Sequence, residues 1–574
     1  MKWNKKDVGV SVKDIFLHNM GVSSLDDVNA LFQKSYDGLY TITGMDEAVH
    51  LASKHISEHN KIRIMGDFDT DGICSVSILL SGLKAVNGIV SYDIPSRSEG
   101  FGVSKDMVDK AHSDGISLII TCDNGIAQLD VINCARQYGI EVIIIDHHLP
   151  SADGLPKANV IIDPSAIPGQ AEFNGYCGAG LCYKFISELL ADAFENRVIY
   201  KTLLSELLCF AAIATIADVM DLVEENYVFV KNGLKKLSFQ TFLTTGLSEL
   251  LSAIGLDHID ITAKDIAFKL APVINAQERM FDGGAKFAVD VLTYNGPVNN
   301  IRPSVEKMVN INQKRKDIKA EQERLCEQYI MDNCLYGDIP MVIRLDTCPP
   351  GIAGIIAGYA CEQYHVPCIV LVPKTDSILT GSARSCGNYH LIDELNSVSS
   401  LLIHYGGHDA AAGLSLFKKN FDSFCEHIIN DSSTDFEYDS PDEVNYNLEI
   451  SEDDIPQVTK ELIRYEPWGQ GNPAPTFKVK NYHAIPIQGK YVKKSVNGNA
   501  VKIVGKSSEA VGFREIIDKL INDSPRQLDI VGSLSINNYG GAPKCQIEII
   551  DYQTVVQPGV KTSLAAKLSS MASS

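Results

Sequence analysis

The sequence predicts an α/β protein: two α/β domains, the first built on a parallel sheet, joined by a long helix and followed by an all-β module. Three observations carry this. From about residue 60 to 220, short and fully apolar strands alternate with helical stretches, the pattern of a parallel sheet covered on both faces. Residues 303–332 form a charged stretch with apolar residues at helical spacing, and a second α/β unit follows at 340–430. Residues 476–553 are short alternating segments broken at Asn497-Gly498 and Gly540-Gly541, a β-rich pattern. A chain of 574 residues is too long for one hydrophobic core, and three or four domains are expected.

In chain order, strands are expected at Ile62–Met65, Leu118–Cys122, Val142–Ile145 and Val160–Ile162, with helices at about 73–86, 104–113, 127–138, 179–195 and 204–217. Residues 226–300 read as mostly helical. Val305, Met308, Val309, Ile311, Ile318, Leu325 and Ile330 give the bridging helix its apolar face. The second unit has strands near Met341–Leu345 and Cys368–Val372. Residues 431–454 hold ten acids and no Lys or Arg, which suits a solvated linker. The tail after 556 is small and polar, and disorder is expected there. The resulting divisions are an N-terminal extension (1–45), the first α/β domain (46–225), a helical segment (226–302), the connecting helix (303–335), the second α/β domain (336–430), an acidic linker (431–465), the β module (466–556) and the tail (557–574).

Hydrophobic residues at 45% and charged residues at 21% are an ordinary globular balance. The net charge of −21 argues weakly against a nucleic-acid partner, although the distribution of charge matters more than its sum. The 14 cysteines include no C-x-x-C pair, so zinc-finger spacing is absent. Cys74, Cys122, Cys209 and Cys368 sit in apolar surroundings as small core residues. Lys5, Lys6 and Asp7 interrupt the N-terminus early, so no signal peptide is expected, and Leu207 to Ala217 is too short to span a bilayer. A reducing cytoplasm is the expected location.

Four clusters carry the chemistry: Asp67-Phe68-Asp69-Thr70-Asp71-Gly72, Asp123-Asn124-Gly125, Asp146-His147-His148 and Asp218. The first three follow expected strands, where ligands bind in parallel sheets. Three carboxylates at alternate positions cannot all be buried as isolated charges, so they need a cation or solvent. Asp-x-Asp-x-Asp-Gly also begins an EF-hand loop, but position twelve is Ile78 where a bidentate Glu belongs. Asp-Asn-Gly alone is a common turn, and Asp218 alone is a helix-end carboxylate. Two histidines beside a carboxylate can give one imidazole to a metal and one to a substrate. Together the clusters suit a pair of hard divalent cations, Mn²⁺ or Mg²⁺, and paired cations suggest hydrolysis of a phosphate ester.

The order of these motifs resembles the DHH phosphoesterase superfamily, named for Asp146-His147-His148. Further matches narrow the resemblance to RecJ-type single-strand-specific exonucleases: Pro95-Ser96-Arg97-Ser98-Glu99-Gly100-Phe101-Gly102, Ile274-Asn275-Ala276-Gln277-Glu278-Arg279, Ser382-Ala383-Arg384-Ser385, Gly406-Gly407-His408 and Pro467-Trp468-Gly469-Gln470-Gly471-Asn472-Pro473. The likeness covers about residues 60 to 553 and implies a DHH domain, a DHHA1 domain and a C-terminal OB-fold. Two departures stand out. Cys348-Pro349-Pro350-Gly351 replaces the family's W-H-x-G segment, with Gly351 and Gly354 kept; and Met65 stands where simpler members have a ligating His, so that Asp67 compensates as a ligand or through water.

The resemblance implies that Asp69 and Asp123 hold one cation, that Asp71, Asp123, His147 and Asp218 hold the other, and that His148 contacts the scissile phosphate, with Asp67 assisting. Arg97, Arg279, Ser382 and Arg384 are candidates for gripping the DNA strand and its terminal phosphate, since the planar guanidinium fork pairs with two phosphate oxygens. Gly406, Gly407 and His408 read equally as a tight turn or as a phosphate contact. Residues 476–506 contain seven Lys and no acid (Lys478, Lys480, Lys490, Lys493, Lys494, Lys502 and Lys506), with Tyr482, Tyr491 and Phe513 nearby, the ingredients of a single-strand-binding OB-fold.

The implied function is a metal-dependent 5′–3′ exonuclease of single-stranded DNA in recombination and repair, with two Mn²⁺ or Mg²⁺ ions. Single-strand-binding protein and a RecQ-type helicase are partners by family analogy, and no membrane is involved. Two alternatives are a DHH phosphodiesterase of oligoribonucleotides or cyclic dinucleotides, which the stretch 476–553 disfavours, and a non-catalytic single-stranded-DNA-binding scaffold, which the intact ligand set disfavours.

Overall fold

The computed structural model describes residues 2–97, 99–100, 102–193, 197–240, 242–257, 259–430, 436, 443–495, 498, 500–513, 516–537 and 543–555. Ser98 and Phe101 of the arginine segment, Asn497, the Gly540-Gly541 turn, most of the acidic stretch before 443 and the tail 557–574 lie outside the described residues. Two compact units result: Lys34–Met220 with Glu224–Asp439, and Met1–Gln33 with Asp221–Val223 and Ser440–Ser574.

The larger unit contains two sheets. The first is wholly parallel, built from β1 (Lys61–Met65), β2 (Ile89–Asp93), β3 (Leu118–Cys122), β4 (Glu141–Ile145) and β5 (Val160–Ile162) in the order β2-β1-β3-β4-β5. The apolar runs explain the arrangement: every residue of β3 is buried, as a central parallel strand requires. Strand β2 is absent from the sequence expectation because it is an edge strand, and Ser91 and Tyr92 interrupt its apolar signal.

Helices α1 (Thr70–Ala85), α2 (Lys105–Ser113), α3 (Leu129–Gln137), α4 (Gly178–Ala193) and α5 (Arg197–Ala217) cover the sheet. Gly82 lets α1 approach α4, because a Cβ there would stand 2.4 Å from Ile186. Helix α5 exceeds the expected apolar stretch. Its segment Tyr200–Ala217 is long and apolar enough to cross a membrane by length and composition, but 56% of it is buried inside the protein, as in a core helix.

A helical segment follows, with α6 (Glu224–Phe239), α7 (Thr245–Ala253), α8 (Ala271–Met280) and α9 (Gly284–Leu292). The long helix α10 (Val298–Asp332) starts before the expected 303. Pro303 lies inside it, at the loss of one backbone hydrogen bond.

The second sheet, β6 (Met341–Arg344), β7 (Cys368–Pro373), β8 (Ile378–Arg384), β9 (Leu402–His408) and β10 (Ala411–Phe417), has the order β9-β10-β8-β7-β6 and is parallel only between β6 and β7. Helix α11 (Pro350–Tyr364) buries Ala353, Ile356 and Ala360 in one core with Val370 and Val372 of β7. Gly406, Gly407 and His408 are not a turn: they end β9, pairing with Gly413, Ala412 and Ala411.

The smaller unit holds a seven-stranded sheet, in the order Leu448–Ser451, Thr476–His483, Gln527–Asn537, Lys544–Thr554, Ser508–Phe513, Ala500–Val504 and Lys493–Lys494. Two expectations change here. The acidic stretch beyond 442 is not a linker: Glu443–Tyr446 and Leu448–Ser451 are strands, and Ile455–Arg464 is a helix burying Ile455, Thr459 and Leu462. The acids hid this, because Val444 and Leu448 are buried while Glu443 and Glu449 stay outside. The first residues of the chain are not a separate extension either, since Lys2–Lys5 pairs in parallel with Glu443–Tyr446.

Candidate metal centre and nucleic-acid interface

The turn after β1 places three carboxylates at the head of α1. Asp69 is the N-cap, its Oδ1 accepting from the amides of Asp71 (2.9 Å) and Gly72 (3.1 Å). Asp71 lies in the first turn, where negative charge is favoured. Its two oxygens accept from the amides of Gly178 and Ala179 at 2.8 Å each, donors left without intrahelical partners at the start of α4. Residue 178 must be glycine for this approach, because a Cβ would stand 2.7 Å from that of Asp123. Asp123 directly follows β3, in a left-handed conformation with φ of 60°.

His147 follows β4, and its Nε2 lies 3.1 Å from Asp123 Oδ1, 3.6 Å from Asp71 Oδ2 and 3.7 Å from Asp218 Oδ2. Four groups from four separate segments therefore face one point. Three ligand groups form, each with its atoms within 4.8 Å of one another: Asp71, His147 and Asp218; Asp67, Asp69 and Asp123; and Asp123, His147 and His148. Asp123 belongs to two of them. Met65 is fully buried in the core.

Burial, with the neighbouring carboxylates adding to it, pushes the Asp67 and Asp123 carboxyls well above the usual range and Asp218 up to about 8. Oδ1 of Asp67 is buried without a hydrogen-bond partner. Repelling, buried oxygens with an unsatisfied acceptor among them are a donor set that fits hard divalent cations.

Asp146 is the residue of the motif whose part the sequence reading left undefined. It is fully buried and accepts from the amides of Ile126 (2.9 Å) and His147 (2.8 Å) and from His148 Nδ1 (2.8 Å). Burial opposes charge on both partners, but their mutual contact outweighs it: Asp146 falls below its ordinary value and His148 rises to about 9. His147, largely through burial, falls and stays neutral, as a ligand must.

Beside the carboxylates stand arginines. The Arg97 guanidinium lies 4.4 Å over the Phe68 ring, and its Nε is buried without a hydrogen-bond partner. Arg279 donates to the Gly351 carbonyl at 3.2 Å; burial, then the cations of Arg97, Arg315 and Arg384, lower it to about 10. Arg384 donates to Ser382 Oγ at 3.0 Å. Gly351 and Gly354 keep helix α11 close: added Cβ atoms would stand 2.3 Å from the Arg279 carbonyl and 3.0 Å from Ser382 Oγ. Among the described residues no carboxylate pairs with Arg279, Arg315 or Arg384, so this half-buried positive cluster suits an anion. Arg315 escaped the sequence reading, since in Lys314-Arg315-Lys316 it looks like any solvated helix face.

The expected run of seven lysines divides in two. Lys478 and Lys480 pair with Glu449, Lys502 with Glu509 and Lys506 with Asp453. Lys490, Lys493 and Lys494 have no ion pair among the described residues. Tyr482 is core and cannot stack on a base, while Phe513 is 42% exposed.

Comparison with known proteins agrees with this geometry. The DHH family N-terminal domain matches residues 61–215, the DHHA1 domain 338–431 and the RecJ OB domain 446–551. A single-stranded-DNA-specific exonuclease RecJ of Salmonella typhimurium is 31% identical over 533 residues, covering 89% of this chain and 90% of its own. The chain belongs to the RecJ family. In fold it is similar to RecJ of Thermus thermophilus crystallised with Mn²⁺, at a TM-score of 0.77 and 23% identity over 97% of this chain and 80% of that one. A second RecJ exonuclease, bound to manganese, is 27% identical with a TM-score of 0.60, covering 70% of this chain and 97% of its own. RecJ membership and the divalent-cation donor set point to one chemistry.

Proposed function

We propose that the chain is a divalent-cation-dependent exonuclease that removes nucleotides from the 5′ end of single-stranded DNA during recombination and repair. The observation that carries this is the convergence of Asp71, Asp123 and Asp218 on His147 Nε2 within 3.7 Å, in a unit where Arg279, Arg315 and Arg384 pair with no carboxylate among the described residues. When bound, a pair of Mn²⁺ or Mg²⁺ ions supplies water ionised near neutral pH and offsets charge on the phosphate oxygens. Asp71, Asp123, His147 and Asp218 would hold one ion, and Asp69 and Asp123, with Asp67, the other. His148, cationic at neutral pH, would donate to a phosphate oxygen through the ring nitrogen that Asp146 does not hold.

Arg97, Arg279, Ser382, Arg384 and the Gly406-Gly407-His408 strand end would hold the 5′-terminal phosphate and the strand. Lys490, Lys493 and Lys494 would track the backbone on the OB-fold. Polarity and the choice of DNA rest on family membership, as do single-strand-binding protein and a RecQ-type helicase as partners and a cytoplasmic location.

The test is digestion of 5′- and 3′-labelled single strands and of blunt duplex, with and without Mn²⁺. Release of labelled mononucleotide at once from the 5′-labelled strand, dependent on Mn²⁺ and lost in His147→Ala, is the expected result. Release from the 3′ label first, or equal digestion of the duplex, overturns it.

A further inference from the structure

Helix α5 ends at the metal centre in an unusual way. The amide of Met220 donates to the Thr215 carbonyl (3.1 Å) and that of Val219 to the Ile216 carbonyl (3.2 Å), the paired contacts of a Schellman termination. The residue at the turn of this motif adopts a left-handed conformation and is usually glycine. Here it is Val219, with φ of 56°. A β-branched residue in that region is strained, because its Cβ crowds the backbone. Burial does not offset the strain, since Val219 is 65% exposed. It directly follows Asp218, whose Oδ2 lies 3.7 Å from His147 Nε2.

A second exposed apolar side chain directly follows another site residue. Leu149 is 64% exposed and directly follows His148, whose Nδ1 lies 3.9 Å from Asp123 Oδ1. Each of two segments that supply site residues therefore continues into a large apolar side chain open to solvent, and one of these is kept against backbone preference. Strain of this kind persists where a function requires the side chain.

We infer that Val219 and Leu149 form an apolar clamp for the base of the nucleotide being released, setting it while its phosphodiester sits at the metal centre. This deepens the exonuclease reading and rests on it. Apolar faces suit the role, because every base has one, so the clamp orients a nucleotide without selecting sequence. The two residues are positioning residues and exchange no proton or bond.

The test measures kcat and KM with Mn²⁺ on 5′-phosphorylated single strands, either unmodified or with a tetrahydrofuran abasic unit as the first nucleotide. The wild-type chain is expected to lose about tenfold in kcat/KM on the abasic strand, the scale of a small apolar contact. Val219→Gly and Leu149→Ala are expected to lose about as much on the unmodified strand and to discriminate no further against the abasic one. Val219→Gly should also melt at the same temperature as the wild type or higher, which separates the loss from misfolding. A wild-type chain indifferent to the abasic unit, variants that still discriminate tenfold, or a lower melting temperature for Val219→Gly overturns the inference. If the wild type fails to cut even the unmodified strand, the exonuclease reading itself falls.

Discussion

Nδ1 of His148 lies 2.8 Å from Oδ1 of Asp146, and this contact fixes both the orientation and the charge of the imidazole. Asp146 reaches no ligand group itself; it acts through its neighbour. Asp146→Asn keeps the shape and removes the charge. His148 should then titrate nearer the ordinary ~6.5 than 9, and activity at pH 8 should fall by roughly 10–100-fold, the usual cost of losing a supporting carboxylate. A histidine NMR titration and a pH–rate profile check this. An unchanged titration contradicts it.

The carboxyl cluster makes stability depend on pH in a definite sense. Asp218 rises from 3.8 to about 8, so between those values the unfolded chain has lost a proton that the folded chain keeps, and stability falls as pH rises. His148 has the same sign: its stabilising contact is complete below its unfolded value and lost as pH rises through about 9. In EDTA the melting temperature should therefore be higher at pH 6 than at pH 8.5. Mn²⁺ should raise it more at pH 8.5, where fewer protons compete for the ligands. Thermal melts at the two pH values, with and without the ion, decide it.

Gly178 is where helix α4 meets both Asp71 and Asp123. Gly178→Ala must displace the Asp123 backbone, since the new Cβ would stand 3.0 Å from its Cα. Calorimetric Mn²⁺ affinity should drop at least tenfold while circular dichroism stays unchanged. Unaltered affinity would show that the ligand geometry tolerates the shift.

The arginine cluster predicts recognition of a terminal phosphate. Arg384→Ala and Arg279→Lys should raise KM for 5′-phosphorylated strands by about 10-fold or more, because a bidentate fork is lost, and change KM little for 5′-hydroxyl strands. Arg315→Ala should behave in the same way. Steady-state kinetics on the two substrates tests all three variants.

On the OB-fold, replacing Lys490, Lys493 and Lys494 by Ala should flatten the salt dependence of strand binding. Each phosphate contact contributes about 0.7 to the slope of log affinity against log salt, so three should remove about 2. The same experiment on Lys478, Lys480 and Lys506, which are already paired with acids, should leave the slope nearly unchanged.

What the sequence revealed followed physical signal strength. The buried strands were legible because β3 and β4 are continuous apolar runs, and the ligands because carboxylates after such strands need a cation. The edge strand β2 was not legible, since half-exposed residues carry mixed polarity. The strand Leu448–Ser451 was hidden by acids on its open face. Asp146 and Arg315 show a further limit. What they do depends on which atom faces which, and residue type and spacing do not encode that.

Two cations are expected to share Asp123. The most direct measurement is anomalous scattering from crystals of the chain grown with Mn²⁺. Two peaks are predicted, one among Asp71, Asp123, His147 and Asp218 and one among Asp67, Asp69 and Asp123, with the Asp123 carboxylate touching both. One peak, or peaks that Asp123 does not join, would contradict the account.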